Sequence, residues 1–126
     1  MTQKALSPLE QEAMNIVWDL KECSVNDVAE KFRQEKKLAY TTVATLLHRL
    51  FEKGLVKKKN HNVTIIYTPK ISKKLFGKII AKSFIHTFLT TFGETAIVSF
   101  AESIEKLPQE KKRSLLQLLE KQNENK

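Results

Sequence analysis

The stretch from Ala39 to Lys53 combines hydroxyl-bearing, cationic and apolar side chains at helical spacing, and Gly54 follows it. On a helix, its apolar residues share one face: Val43, Leu46, Leu47 and Leu50. Its polar residues lie on the other face, with Ala44 at the edge: Thr41, Thr45, His48, Arg49 and Glu52. Short hydroxyls at the start of a helix and cations further along are typical of a helix that enters the DNA major groove. The alternative is an ordinary surface helix with a solvated polar face, because motif matches include false positives.

The residue types divide the expected DNA contacts of this helix between bases and phosphates. We expect Thr41, Thr42 and Thr45 to make base or near-base contacts. Ala44 is expected to touch a thymine methyl group. The side chains expected at phosphates are Tyr40, His48, Arg49, Lys57, Lys58 and Lys59. Two copies of the helix would then recognise half-sites about one helical turn apart.

Two helices are predicted before this stretch. Ser7-Pro8-Leu9-Glu10 combines a capping serine, a proline suited to the first turn and a glutamate that completes a capping box. Ser24 caps the second helix, with Asp27 three residues on. Trp18 lies among helix-spaced apolar residues, which favours a core aromatic over a stacking platform for a base. The second helix and the Ala39–Lys53 stretch together predict a helix-turn-helix.

The spacing of the apolar residues changes from helical to strand-like after Gly54. Leu55 to Lys59 and Val63 to Pro69 are predicted strands around an asparagine-rich turn, with valine, isoleucine, threonine and tyrosine enriched. A hairpin after three helices predicts a winged helix, in which the hairpin is the wing. The basic residues expected where the wing meets phosphates are Lys57, Lys58, Lys59 and His61. The alternative for the lysines is a solvated edge strand, where charge deters aggregation.

The chain from Ser72 onward predicts three more helices, with breaks at Gly93 and Pro108. They carry more large apolar groups than a monomer of this size buries easily, and such an exposed patch usually marks an interface. We therefore predict a homodimer. The interface residues expected are Ile80, Phe84, Phe88, Phe92, Phe100, Leu115 and Leu119. The alternative is that this apolar stripe packs on the front domain of its own chain.

The predicted fold class is mainly α with a small β-hairpin. A winged helix-turn-helix domain is expected over residues 1–71, followed by a helical dimerisation domain over residues 72–126.

The 126-residue chain has a net charge of +8, and 15 basic against 8 acidic residues up to residue 78 account for +7 of it. A basic front half indicates a polyanion partner, and a near-neutral back half indicates binding to itself or to another protein. No apolar run spans a bilayer and no apolar signal core follows Met1, so we expect a cytoplasmic protein.

Catalytic and metal chemistry find no support in the sequence. Cys23 is the only cysteine, which excludes an intrachain disulfide and a cysteine-cluster metal site. We expect its side chain to be buried as a small hydrophobic group. The three glycines form no phosphate-binding loop, and no nucleophile and base stand at a recognisable spacing. His48, His61 and His86 lie on different elements, so we expect surface or phosphate-contacting residues rather than metal ligands. We therefore expect neither an enzyme nor a cofactor.

Three stretches resemble the penicillinase-repressor family of bacterial transcription regulators, the BlaI/MecI/CopY group. The matching residues are Leu6–Glu10 with Val17-Trp18, Tyr40–Val43 with Thr45–Leu50, Lys53–Val56, and Tyr67 before Pro69 at the exit of the wing. The similarity covers nearly the full length, including the three-helix tail. It implies a dimer with an N-terminal winged helix and a C-terminal intertwined helical domain. Such proteins repress transcription by occupying palindromic operators on double-stranded DNA.

Three departures from the family pattern limit what the resemblance implies. The CopY branch carries a C-terminal cysteine motif that binds copper or zinc, and this chain has only Cys23, so a copper switch is not expected. In the beta-lactam branch a membrane sensor protease cuts an Asn-Phe bond in the tail, and the corresponding bond here is Ser99-Phe100. Phe100 is retained, so cleavage by such a partner stays an expectation. Thr41 and Ala44 stand where some relatives carry an extra cation, so the operator sequence is not transferable.

We favour a dimeric repressor, because a lysine-rich arm follows the candidate recognition helix. The resemblance implies a resistance or stress operon as its target. Two other classes of function stay open from the sequence. The winged helix could be a protein-interaction module that binds an acidic partner. The tail helices could instead enclose a pocket for a small regulatory ligand.

Overall fold

The computed structural model describes residues 5–124 of the chain. Three helices come first: α1 (Pro8–Leu20), α2 (Val25–Phe32) and α3 (Tyr40–Glu52). A hairpin and three further helices follow: β1 (Val56–His61), β2 (Thr64–Pro69), α4 (Lys73–Phe92), α5 (Glu94–Glu105) and α6 (Gln109–Glu124). The predicted fold class, mainly α with a small β-hairpin, is confirmed. Within residues 5–124, none of the helices is both long and apolar enough to cross a membrane.

Side-chain caps fix the starts of the first two helices. The Ser7 hydroxyl accepts from the Glu10 backbone N–H at 3.2 Å, and the Glu10 carboxylate accepts from the Ser7 N–H at 2.9 Å. Ser24 and Asp27 make the same reciprocal pair at the start of α2, at 3.2 and 2.9 Å. The predicted capping box of α1 and the predicted Ser24 cap of α2 are therefore present, and Asp27 completes a box in α2 as well. Each cap stabilises its helix by about 1 kcal/mol.

The hydrophobic core lies between α1, α2, α3 and the base of the hairpin. Its fully buried side chains include Met14 and Val17 of α1, Val28 of α2, and Leu55 after α3. Trp18 packs beside this core, and its Nε1–H donates to the Ile71 carbonyl at 2.9 Å. The Trp18 ring lies 5.7 Å from that of Phe76 on α4, centroid to centroid. The structure thus makes Trp18 a core aromatic, as predicted.

The hairpin pairs β1 and β2 in antiparallel register from Val56↔Pro69 at its base to His61↔Thr64 at its tip. The predicted first strand began one residue early and ended two residues early, and the predicted second strand began one residue early. Asn60 and His61 belong to β1, and Val63 lies in the turn with its side chain 101% exposed. The reason is Asn62, whose φ of 60° makes the turn. Asparagine tolerates this left-handed backbone better than most residues.

Cys23 pairs with β2 through an isolated antiparallel bridge to Tyr67, beside the two-stranded hairpin. Its backbone N–H donates to the Tyr67 carbonyl at 3.0 Å, and the Tyr67 N–H donates back to the Cys23 carbonyl at 2.7 Å. The side chain is buried, as predicted, and burial raises the pKa of the thiol to about 11. The thiol is therefore protonated and unreactive at neutral pH.

The elements form two compact units, which divide between Ser83 and Phe84. The division falls inside α4, whose first turns supply Phe76 and the half-buried Ile80 to the core of the first unit. In the second unit, Ala96 is the single buried side chain among the described residues 84–124. The predicted domain boundary after residue 71 and the assignment of Ile80 to a dimer interface stay predictions.

An ion pair ties the start of α1 to the end of α3. Lys53 Nζ lies 2.7 Å from Glu10 Oε1, and the Glu10 side chain is only 5% exposed. The hydrogen bond from Lys53, then that from the Ser7 N–H, hold the pKa of Glu10 below its ordinary value of 4.5. A carboxyl group whose pKa is lower in the folded state adds to the free energy of unfolding at pH values above its ordinary pKa. This contribution disappears as the pH falls through the pKa of the folded state.

We predict that Glu10→Gln lowers the free energy of unfolding by about 1.5–3 kcal/mol at pH 7, because Lys53 loses its charged acceptor. The difference from wild type should shrink once the pH falls below 4.5, when Glu10 is protonated in the unfolded chain. Urea denaturation at pH 7 and pH 3.5 measures both values. Glu12→Gln is the matched control, since its pair with Lys36 at 3.3 Å is partly exposed and contributes less than about 1 kcal/mol. Equal losses in the two variants would show that the Glu10–Lys53 pair contributes no more to the free energy of unfolding than the partly exposed Glu12–Lys36 pair.

Candidate nucleic-acid interface

Helix α3 has the two faces that its sequence predicts. Val43, Leu46, Leu47 and Leu50 are buried on the inner face. The exposed predicted contact residues are Tyr40, Thr41, Thr42, Thr45, His48 and Arg49. Ala44 is half-buried at the edge of the two faces. A row of hydroxyls and cations therefore lies free on one side of a helix whose other side is fixed in the core.

Gly54 fixes the end of α3 and the start of the wing. Its φ of 78° lies in the left-handed region, which glycine adopts without strain. This turn lets the Leu55 N–H donate to the Leu50 carbonyl at 3.0 Å, and both side chains are fully buried. The arrangement is the glycine-ended helix terminus that the sequence predicts. It directs the chain from the end of α3 into β1 without a linker.

The hydroxyl of Thr45 has a defined hydrogen-bonding role. It donates to the Thr41 carbonyl at 2.8 Å, so its hydrogen is already used within the helix. The oxygen still has a lone pair to accept another hydrogen bond. In a DNA major groove, the amino groups of cytosine and adenine are the available donors. The geometry therefore suits Thr45 to accept from a base edge.

The predicted basic residues of the wing are all exposed. They are Lys57, Lys58, Lys59 and His61. Successive side chains of a strand point to opposite faces, so Lys58 lies on a different face of β1 from Lys57 and Lys59. The contacts of Lys58 show that this face is the one beside α3.

Phe51 was missed as a candidate site residue. Its ring is 40% exposed at the end of α3, and Lys58 Nζ lies 4.6 Å from the ring centroid. Lys58 Nζ is also 3.5 Å from Nδ1 of His48, and the His48 and Phe51 rings stack at 6.4 Å. On its other side, Nε2 of His48 lies 3.6 Å from Glu52 Oε1. The sequence signal was an aromatic residue next to the leucine face, which resembles ordinary core.

The exposed side of α3 carries one acidic residue, Glu52, beside His48, and the chain from residue 53 to residue 93 carries only positive charge. Residues 53–93 contain nine lysines and no aspartate or glutamate. Lys53 is held by Glu10, whereas the wing lysines make no ion pair with an acidic side chain in the described part of the chain. Such a surface attracts a polyanion, and salt weakens that attraction.

The predicted dimerisation residues from Phe84 onward and the predicted cleavage residues lie in the second unit. Phe84, Phe92 and Phe100 are more than half exposed, at 65%, 56% and 53%. Phe88 and Leu115 are half-buried and Leu119 is exposed. Ser99 and Phe100 both lie in α5 with exposed side chains. Among residues 5–124, no three His, Cys, Asp or Glu side chains are grouped so that they could hold a metal ion.

Comparison with known proteins gives relatives over nearly the whole chain. The sequence model of the family described as penicillinase repressor matches residues 6–121. The methicillin resistance regulatory protein MecI of Staphylococcus aureus (strain N315) is 28% identical over 116 residues, 92% of this chain and 94% of MecI. The penicillinase repressor of Bacillus licheniformis is 25% identical over 121 residues, 96% of this chain and 94% of that protein.

A solved structure supports the fold of the first unit. The solution structure of the DNA binding domain of the repressor BlaI is similar with a TM-score of 0.52 and 26% identity. The match covers 58% of this chain and 90% of that domain. It confirms the predicted winged helix for the front of the chain. The full-length family match and the shared DNA-binding fold lead to one conclusion: this chain belongs to the penicillinase repressor family and is a DNA-binding transcriptional repressor.

Proposed function

We propose that this protein represses transcription by binding palindromic operator DNA as a homodimer. The observation that supports this most directly is the division of α3 into a buried leucine face and an exposed face of hydroxyls and cations. In the proposed complex α3 enters the major groove and the lysines of β1 contact phosphates. The names of the relatives, a methicillin resistance regulator and a penicillinase repressor, support a resistance operon as the target. Binding to bacterial chromosomal DNA would place this action in the cytoplasm.

The proposed contacts follow from the chemistry of each side chain. Thr41, Thr42 and Thr45 lie nearest the bases, and the Ala44 methyl packs on a thymine methyl. The residues proposed at phosphates are Tyr40, His48, Arg49, Lys57, Lys58, Lys59 and His61. Phosphate contacts set the position of the helix along the duplex, and base contacts supply the sequence preference.

The second unit supports the proposal of a homodimer. With Ala96 as its single buried side chain among residues 84–124, it has no apolar core of its own. The ring centroids of Phe84 and Phe88 are 5.7 Å apart, and those of Phe88 and Phe92 are 5.4 Å apart. The three rings therefore form a continuous apolar row on α4. A second copy of this unit would bury the same row on each protomer, as a two-fold interface requires.

We also propose release from DNA by a membrane sensor protease that cuts near Ser99-Phe100. Both side chains are exposed on α5. The Ser99 carbonyl accepts from the Ser103 hydroxyl at 3.0 Å within the same helix. A protease that binds its substrate as an extended strand would have to unwind this turn of α5 first. Cleavage would therefore depend on local opening of the second unit.

The first test of the proposed function is Thr45→Asp. A carboxylate at this position faces the phosphates and the acceptor atoms of the bases, so we expect operator affinity to fall about 100-fold or more. A gel shift on a duplex selected from a random pool by the wild-type protein measures the change. Circular dichroism should show an unchanged fold, because the Thr45 side chain is exposed.

Gln34→Asp is the control for added negative charge. Gln34 is exposed and lines a groove that has a net negative charge and therefore does not attract DNA. The charged residues of this groove are Glu12, Asp19, Glu35 and Lys31. Its substitution should leave the affinity within about twofold, since a single distant surface charge is screened by salt. Unchanged binding by Thr45→Asp, or equal losses in both variants, would remove α3 from its proposed role.

The second test is Lys58→Gln, which removes one cation from the wing. We expect weaker binding to the selected duplex and to an unrelated duplex by the same factor, because phosphate contacts carry no sequence information. The slope of log affinity against log salt should become shallower by about 0.9. Fluorescence anisotropy at four salt concentrations gives this slope. A loss confined to the selected duplex would instead assign Lys58 to base recognition.

The third test is Phe92→Ser in the apolar row of α4. Burial of one phenylalanine stabilises by about 1.5–3 kcal/mol, and a dimer loses two of them. The dimer dissociation constant should therefore rise about 100-fold or more. Sedimentation equilibrium measures it, with Lys78→Ser on the exposed polar side of α4 as the control. A monomeric wild-type protein at micromolar concentration would contradict the proposed homodimer.

A further inference from the structure

Phe51 occupies an unusual position for a large aromatic side chain. It follows directly after the buried Leu50 at the C-terminal end of α3, yet its ring is 40% exposed. One face of the ring is covered by the ammonium group of Lys58, whose Nζ lies 4.6 Å from the ring centroid. The ring thus lies between the recognition helix and the wing.

The environment of Lys58 restricts its ammonium group on two sides. The Phe51 ring attracts it through its negative face, and Nδ1 of His48 lies 3.5 Å away on the preceding turn of α3. The ring face takes at most one of the three N–H donors, and His48 takes at most one. At least one N–H group therefore stays free to donate to a phosphate oxygen.

We propose that Phe51 is a positioning residue for DNA binding, which holds the ammonium of Lys58 at the junction of α3 and the wing. The inference deepens the proposed function and rests on it. A free lysine side chain loses conformational entropy when it settles on a phosphate. Lys58 has lost part of that freedom before DNA arrives, because it already lies on the ring.

Lys59 gives a natural comparison, since it lies on the same strand with the same charge. It points to the opposite face of β1 from Lys58 and has no aromatic partner in the described part of the chain. A role for Phe51 that acts through Lys58 therefore predicts dependence on Lys58 and independence from Lys59. A general effect of Phe51 on the fold predicts no such difference.

A double-mutant cycle with Phe51→Leu tests the proposal. We expect Phe51→Leu alone to weaken binding to the selected duplex about two- to fivefold, the factor that an exposed cation–π contact supplies. In a Lys58→Gln background, Phe51→Leu should cause no further loss, because the ammonium that it positions is already absent. In a Lys59→Gln background, the full two- to fivefold loss should persist. Phe51→Tyr keeps an aromatic face and should bind like the wild type.

The outcomes separate this inference from the proposed function. An equal effect of Phe51→Leu in both lysine backgrounds, or failure of Phe51→Tyr to restore binding, would overturn the positioning role alone. Failure of the wild-type protein to prefer duplex DNA over another polyanion such as heparin would overturn the proposed function and this inference with it. Thermal unfolding of each variant shows whether a loss of affinity comes from loss of the fold.

Discussion

The burial of the inner face of α3 is the constraint on which the rest of the structure depends. A helix of 13 residues is only marginally stable alone in water, so packing must hold it. Four buried side chains, Val43, Leu46, Leu47 and Leu50, supply that packing, and each contributes about 1.5–3 kcal/mol. With these positions turned inward, the helical repeat leaves Thr41, Thr45 and His48 outside. The exposed recognition face is therefore a geometric consequence of the core.

Apolar burial alone would not fix where α3 lies along its own axis, because the hydrophobic effect has no direction. Polar contacts at the C-terminal end supply that information. Lys53, the last residue before Gly54, is held at 2.7 Å by the nearly buried Glu10 of α1. The backbone turn at Gly54 then starts the wing at Leu55, inside the same core. The position of the wing lysines relative to the recognition face thus follows from three neighbouring residues.

The features that sequence predicts well are those set by neighbouring residues. Helix periodicity, the capping boxes at Ser7 and Ser24, and the helix end at Gly54 all depend on residues within one or two turns. Contacts between distant segments were not predictable in this way. The Cys23–Tyr67 bridge joins residues 44 positions apart in the sequence and has no local signature. The role of Phe51 was hidden for the same reason, since its partner Lys58 lies on another element.

The two units differ in what a single chain can stabilise. The first closes its own core, whereas the described part of the second exposes most of its apolar surface. In the proposed dimer, the second unit would link two DNA-binding domains, and linkage raises the overall affinity about 10²–10⁴-fold without a new contact to DNA. A cut in α5 that separates the protomers would remove this gain while α3 and the wing stay intact. Release of the proposed dimer by such a cut would require no change in α3, so the second unit would respond to the signal while the first unit keeps its geometry.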